Sequence, residues 1–377
     1  MMTISLCMIV KDEEDTLEAC LSPLCPIVDE IVIVDTGSTD CTKEVAARFG
    51  ACIYDFEWID DFAAARNYAF EQATKEYMMW LDADDVLGPE DCVKLLELKE
   101  RTEFAYDSVT MSYQLTFDEA GKAVYSLRRN RLVRRACGFK WIGAVHEYLA
   151  VSGNIYHSDI AVKHNKRKEY SDRNLRIYIN RRAKGELFTP RDQYYFANEL
   201  YDHQRYYEAA VQYEKFLQDG LGWIEDRIAA CHKLEECYRQ LGETEKSLEA
   251  LLRTLLIDAP RAELCCKLGA YFVEQERFDT AIYWYRQALL IGLPQNPMAV
   301  QETYTSTLLP HIQLCYCYDR LGDRVNAKIH HEAARMYNPD HPSVVYNERY
   351  FRELAQGQLL NMNDRQSVRP ADEPSDS

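Results

Sequence analysis

The sequence predicts two structural classes in one chain: an α/β domain on a mainly parallel sheet, then an all-α region of helical repeats. Three observations carry this. Over residues 1–85, short apolar β-rich runs alternate with stretches of helical spacing. From about Tyr170 the helical spacing is almost continuous. Within that second half, four segments resemble one another at nearly regular steps.

Ile4–Val10 is the first apolar run, ended by Lys11-Asp12-Glu13-Glu14. Thr16–Leu24 has helical spacing and stops at Pro23 and Pro26. Glu30–Val34 is too continuously apolar for a half-exposed strand and reads as a buried parallel one. Asp35-Thr36-Gly37-Ser38-Thr39-Asp40 forms a turn, and Ser38 or Asp40 can cap a helix running to Phe49. Ala51–Phe56 is a third strand, Ala63–Thr74 a helix, and Tyr77–Leu81 a fourth strand running into Asp82-Ala83-Asp84-Asp85. In such sheets ligands bind beyond the carboxyl ends of the strands, where Asp35 and Asp82 both lie. Ser108–Phe117, Ala123–Arg135 and Ile155–His164 have strand character with intervening turns, and an antiparallel addition to the sheet is expected.

The four similar segments are 206–217, 243–255, 277–289 and 323–335. Aligning Ala210, Ser247, Ala281 and Ala327 gives steps of 37, 34 and 46 residues. A period near 34 is that of tetratricopeptide helix pairs. The small residue lets two helices approach, and aromatics three positions on (Tyr213, Trp284) are expected to fill the gap to the next hairpin. Pro260, Pro294 and Pro339 are placed to end second helices, and the 46-residue step implies a longer connection around 292–306. The stretch from Asn363 to Ser377 lacks the apolar residues of a core and is expected to be disordered.

The chain has 377 residues with 44 basic and 61 acidic side chains, a formal charge of −17. Residues 1–165 hold 29 acids and 16 bases; the remainder holds 32 and 28. This acidity argues against nucleic acid and anionic lipid as partners, since both need a basic footprint. No run reaches the ~18 apolar residues of a membrane span. Thirteen cysteines without a CxxC pair read as reduced thiols of a cytoplasmic protein.

The most informative element for chemistry is Asp82-Ala83-Asp84-Asp85. Carboxylates two residues apart on a turn can converge on a hard divalent cation, which in turn neutralises a diphosphate leaving group. The competing assignment is a solvated loop or a cap for a helix starting at Pro89. Between Gly121 and Lys140 lie Lys122, Arg128, Arg129, Arg131, Arg134, Arg135 and Lys140 with no acid. These either contact a diphosphate or acceptor, or form the basic edge of a strand. Tyrosines at helical spacing in the second half are repeat core, although a stacked array also presents a concave face suited to extended peptides.

ISLCMIVKDEE, IVIVDTGSTD, DDFAAARNYAF and MMWLDADD, in that order, resemble the family 2, GT-A-type glycosyltransferases. With tetratricopeptide-like repeats appended, the chain looks like the sublancin-type peptide S-glycosyltransferases, and its first half is also similar to lipopolysaccharide-core glucosyltransferases. The resemblance implies a GT-A domain over 1–165, a helical connector over 166–189 and repeats over 190–350. It implies a UDP-sugar donor, Mg2+ or Mn2+, and an inverting single displacement. Asp35 would face the nucleoside and Arg66 the base or diphosphate, with Val10, Asp82, Ala83 and Trp141 around the nucleotide-sugar. Asp82, Asp84 and His164 would serve the metal. Glu147 would be the catalytic base with His146 the alternative, although an ordinary strand-edge pair accounts for both residues equally. His164, as a lone histidine, also has a purely structural assignment. The chain departs from its relatives at Asp12-Glu13-Glu14 and Asp35-Thr36-Gly37-Ser38, where Asn-Glu-Glu and Asp-Asp-Gly-Ser are common. The implied acceptor is a Cys, Ser or Thr side chain of a peptide or protein. A polysaccharide or lipopolysaccharide acceptor, or a nucleotide-sugar-binding scaffold without turnover, are the alternatives. The repeats would offer a homodimer surface.

Overall fold

A computed structural model describes residues 2–102, 104–118, 121, 123–165, 171–294, 296, 299 and 301–366. Lys122 and residues 367–377, which include most of the expected disordered tail, lie outside these.

The sheet opens with β1 (Ile4–Val10), β2 (Glu30–Asp35), β3 (Cys52–Asp55) and β4 (Tyr77–Trp80). All pair in parallel, with Val10 beside Asp35, Asp35 beside Asp55 and Cys7 beside Trp80. The continuous apolar runs are explained by burial on both faces. Leu6, Met8, Tyr77 and Met79 pack on one side with Leu17 and Leu21 of α1 (Leu17–Leu21). Cys7, Met78 and Trp80 pack on the other with Ala63 and Phe70. Between the parallel strands run α2 (Thr42–Arg48) and α3 (Phe62–Gln72). The two-residue strand β5 (Asp85–Val86) and α4 (Pro89–Glu100) follow β4. Gly88 precedes α4 as its N-cap, so the acids at 82–85 do not cap that helix.

The rest of the sheet is β6 (Ser108–Phe117), β7 (Ala123–Arg134) and, after the small hairpin β8 (Trp141–Ile142) and β9 (Tyr148–Leu149), β10 (Ile155–His164). The order is β3-β2-β1-β4-β7-β6-β10-β5. β7 lies antiparallel to β4 and β6, as expected of this region, but β10 pairs with β6 in parallel. The cause is the return path. The Asp107 N–H donates to the Asn154 carbonyl at 2.8 Å, and the Asn154 N–H to Asp107 Oδ2 at 2.9 Å. β10 therefore starts beside the start of β6 and runs the same way. Its far end pairs antiparallel with β5, His164 opposite Asp85, which brings residues 79 positions apart together.

The helical half contains α5 (Arg173–Ala183), then the hairpins α6/α7 (Pro190–Asp202, Tyr206–Asp219), α8/α9 (Ile224–Gln240, Thr244–Leu252), α10/α11 (Ala262–Glu274, Phe278–Ile291) and α12/α13 (Leu308–Arg320, Arg324–Tyr337). Each of the four similar segments forms the second helix of a hairpin. Their aligned small residues are all buried. The aromatics meet the expectation in part, Tyr213 packing in one cluster with Ala230, Leu234 and Cys237 of the next hairpin. Tyr213 donates its hydroxyl to Asn198 Oδ1 at 2.6 Å, within its own hairpin. Tyr285, not Trp284, is the fully buried ring of α11. It lies where a Cβ on Gly269 would fall, so glycine is what allows α10 and α11 to close. α14 (Pro342–Gln366) extends into the start of the expected tail.

The chain divides into two compact units, one of residues 1–259 with 294–301, the other of residues 260–293 with 302–377. The sheet, α5 and the first two hairpins thus belong to one unit.

Candidate active site

The turns after β1 and β2 are tied together by their polar side chains. Asp35 is buried, and its Oδ1 accepts from the N–H groups of Gly37 (3.0 Å) and Ser38 (2.9 Å). Gly37 has φ +101°, which the turn requires. Asp12 Oδ1 accepts the Thr39 N–H at 2.7 Å, and the Asp12 N–H donates to Ser38 Oγ at 2.9 Å. Both departures from the common family pattern therefore lie in one cross-linked double turn. Val10 closes it, its carbonyl accepting the Thr36 N–H at 3.0 Å. Asp35 Oδ2 is buried without a hydrogen-bond partner.

Arg66 projects from α3, whose first turn is capped by Asp61 accepting the Ala64 N–H at 2.9 Å. Its guanidinium bridges two carboxylates, Nη2 donating to Asp82 Oδ1 at 2.6 Å and Nε to Glu147 Oε1 at 2.5 Å. The cation sits 5.0 Å from the Trp80 ring centroid and 4.9 Å from that of Trp141. Asn67, next in the helix, clamps the Trp141 backbone, donating to its carbonyl at 3.0 Å and accepting its N–H at 2.9 Å. Burial by itself would raise the Asp82 carboxyl; the charges of Arg66 and Arg131 outweigh it and hold the group at about 2. Asp82 is thus an anion committed to Arg66.

Asp85 anchors the acidic turn. Its Oδ2 accepts the Asp82 N–H at 3.0 Å and lies 2.9 Å from Arg131 Nη1, in a pair with no solvent exposure. Arg131 also lies 3.9 Å from the Trp80 ring centroid. Asp85 Oδ1 is buried with no hydrogen-bond partner, 3.7 Å from His164 Nδ1. Asp84 Oδ1 is 3.6 Å from the same nitrogen, and the Tyr113 hydroxyl is 2.8 Å from it. One ligand atom each from Asp84, Asp85 and His164 lies within 4.8 Å of the others. Two carboxylates and an imidazole suit Mg2+ or Mn2+, and the orphaned Asp85 oxygen is an acceptor awaiting a cation. Asp82, expected as a ligand from sequence, lies outside this group of three. Burial raises the Asp84 carboxyl, with the His164 charge opposing. Asp85 raises His164 above its ordinary value against the effect of burial, with Asp84 adding to the rise.

Glu147 stands on the 143–147 segment, where Gly143 and His146 have φ +101° and +51°. This loop is held from the sheet side and from the helices. The Phe62 N–H donates to the Ala144 carbonyl (2.8 Å), Tyr178 Oη to that of Val145 (3.3 Å) and Arg191 Nε to that of His146 (2.9 Å). His146 Nε2 is 2.7 Å from Oε1 of the buried Glu199, and its ring stacks on Tyr195 at 4.2 Å.

Arg66, Asp82, Asp84, His146, Glu147 and His164 all line one cavity of about 340 Å³, whereas Val10, Asp35, Ala83 and Trp141 do not. The basic run divides by position. Arg128 hydrogen-bonds Thr110 at 2.9 Å and Arg135 the Lys75 carbonyl at 2.8 Å, both structural, while Arg129 lines the cavity and Arg131 lies beneath the acidic turn. Asp85, Arg131, Tyr195 and Glu199 were not singled out in sequence. The fourth acid of DADD and the basic run were the signals available for the first two. A glutamate inside a repeat helix carries none.

Residues 5–189 match the sequence model of glycosyl transferase family 2. This half of the chain is a family 2 glycosyltransferase domain. A TPR repeat-containing protein of Synechococcus elongatus is 28% identical over 83% of this chain and 63% of its own length. The prophage-derived glycosyltransferase SunS of Bacillus subtilis is 28% identical over 53% of this chain and 49% of its own. The chain therefore spans from about half to under two thirds of these relatives. Among solved structures, YrrB, described as a TPR protein with an unusual peptide-binding site, gives a TM-score of 0.36 at 17% identity, covering 47% of this chain and 83% of that one. Glucosyl-3-phosphoglycerate synthase from Mycobacterium tuberculosis, solved with Mn2+, UDP and phosphoglyceric acid, gives 0.25 at 20% identity over 31% and 44%. Scores this low carry no inference about activity. Among the described residues, no helix is long and apolar enough to cross a membrane.

Proposed function

We propose that the protein is a metal-dependent, inverting glycosyltransferase that moves a sugar from a UDP-sugar to a Cys, Ser or Thr side chain of a peptide or protein. The observation that carries this is Arg66, which holds Asp82 and Glu147 on either side of one guanidinium, in the cavity that also takes in Asp84 and His164. Residues 1–165 form the GT-A domain, joined by a helical connector (166–189) to tetratricopeptide-like repeats (190–350). Thirteen unpaired cysteines favour a reducing, cytoplasmic setting.

Asp84, Asp85 and His164 would hold a Mg2+ or Mn2+ ion, which when bound offsets negative charge on a diphosphate. Arg129 and Arg173, both lining the cavity, supply fixed positive charge where the diphosphate leaves. The acceptor sulfur or oxygen bonds to the anomeric carbon as the bond from that carbon to the diphosphate oxygen breaks. The electron pair leaves with UDP, and the acceptor proton passes to Glu147. A thiol acceptor, which ionises near pH ~8.5, needs less help from a base than an alcohol does. SunS, a glycosyltransferase similar to this chain, and the appended helical repeats support a peptide acceptor.

The test is UDP release from a panel of UDP-sugars with Mn2+, with Mg2+ and with chelator. Metal-dependent release that Asp84→Ala abolishes without loss of fold is expected. Binding of UDP-sugars with no turnover under any condition would instead establish a non-catalytic scaffold.

A further inference from the structure

A second, larger cavity of about 910 Å³ adjoins the candidate active site within the same compact unit. Trp80, Arg129, Val145, Arg191 and Tyr195 line both spaces, so the two share a wall. Val145 is two residues from Glu147 on the braced loop. The remaining walls come from β7, the β8–β9 hairpin, α5, α6 and the turn before α8.

This cavity collects apolar side chains that the fold leaves wet. Ile59, Ile142, Tyr148 and Trp223 are 60%, 45%, 40% and 45% exposed, and all four line it. They come from three separate stretches of chain, Ile142 and Tyr148 being paired across the β8–β9 hairpin. Such a patch on a concave wall marks a binding surface. Polar capacity lies among them. The Arg129 Nε is buried without a hydrogen-bond partner, and its guanidinium lies 5.4 Å from the Tyr113 ring centroid. Asp60 and Asp226 supply carboxylates on the same walls. A lipid chain laid here would leave these charged groups desolvated. A glycan would set hydroxyls against two isoleucines. A peptide offers both amide dipoles and apolar side chains, and the size, near the top of the usual ~300–1,000 Å³ for ligand sites, admits more than one residue.

We propose that this cavity seats the acceptor, and that the acceptor is a peptide with an apolar side chain beside the residue that receives the sugar. The proposal rests on the peptide-acceptor reading above and adds a place and a sequence preference to it.

The experiment uses the full chain, the UDP-sugar panel with Mn2+, and two synthetic sets of Cys- and Ser-containing nonapeptides, flanked either by Leu and Phe or by Ser and Asp. Transfer to peptide is followed by mass spectrometry and donor hydrolysis by UDP release. The expected result is transfer to the apolar set, a KM for peptide raised at least tenfold in both Trp223→Ala and Ile142→Asp, and unchanged donor hydrolysis in each. Unchanged peptide KM in both variants overturns the assignment of the cavity while leaving the peptide-acceptor reading standing. Equal use of the two sets overturns the apolar preference. UDP release with transfer to no peptide sinks the acceptor reading and this proposal with it, as does absence of release with every donor. Conversion of a dimer to a monomer by either variant, with transfer intact, shows the patch to be a surface between copies and also overturns the proposal.

Discussion

His146 Nε2 and Glu199 Oε1 lie 2.7 Å apart, joining a glycosyltransferase-domain loop to a helix of the first hairpin. Glu199 is 1% exposed and also accepts from Asn174 Nδ2 at 3.2 Å. The pair holds His146 at φ +51°, a conformation a non-glycine residue adopts only when its surroundings enforce it. Glu147 follows directly. In Glu199→Gln we expect kcat for transfer to fall about 10- to 100-fold with little change in donor KM, since one charge-assisted hydrogen bond is worth about 1.5–3 kcal/mol. Equal kcat in wild type and variant would show that the loop does not depend on this contact.

Arg66→Lys keeps a positive charge and loses the planar fork that reaches Asp82 and Glu147 together. Activity should fall by at least about 100-fold. Removing the charge in Arg66→Met leaves two clustered, partly exposed carboxylates without their cation; breaking a fully buried pair costs about 3–5 kcal/mol, which is the upper bound here. Chemical denaturation should show a clear loss of stability for Met and a smaller one for Lys.

Neighbouring acids of the 82–85 turn should separate cleanly. Asp84 is partly exposed and pairs only loosely with His164, so Asp84→Asn should remove Mn2+ binding, read by electron paramagnetic resonance, and leave the melting temperature nearly unchanged. Asp85→Asn strips the fully buried Arg131 of its counter-ion and should destabilise by about 3–5 kcal/mol. Equal stability of the two variants would contradict the structural role given to Asp85.

Burial pushes the Asp226 carboxyl up to about 6, Arg191 opposing and Glu225 adding to the rise. The sign follows from linkage. A carboxyl whose folded pKa lies above its unfolded value of ~3.9 costs stability as pH rises from about 4 through 6, and the cost is complete at neutral pH. Asp226→Asn should therefore raise the melting temperature at pH 7, corresponding to about 1–3 kcal/mol, and have little effect at pH 4. A variant less stable than wild type at pH 7 would mean that attraction to Arg191, 3.8 Å away, outweighs burial.

The parallel strands, the second helices of the repeats and the acidic turn were legible because each is a local pattern: a continuous apolar run, a small residue at a fixed step, acids just after a strand. The direction of β10 was not, because it depends on where Asn154 meets Asp107, 47 residues away. The grouping of Asp85 with His164 depends on strand register in the same way. Of the basic run, sequence left open whether its members contact a ligand or form the edge of a strand. The structure separates them: Arg129 and Arg131 both lie over the Tyr113 ring, across a register shift in β7 that alternation alone does not predict. Glu199 and Tyr195 looked like ordinary repeat core, and their contact with the 143–147 loop leaves no trace in spacing or composition.

The division of the molecule after Ala259, rather than at the change in composition near residue 165, has a practical consequence for protein engineering. An excised fragment ending at 165 would lack Tyr178, Arg191 and Glu199, and with them three of the groups that fasten the 143–147 loop. The smallest fragment that carries the loop with its fastenings is therefore the first unit with its two helical hairpins. A single cut at Pro260 keeps Tyr178, Arg191 and Glu199 with Glu147 but parts residues 294–301 from the unit to which they belong.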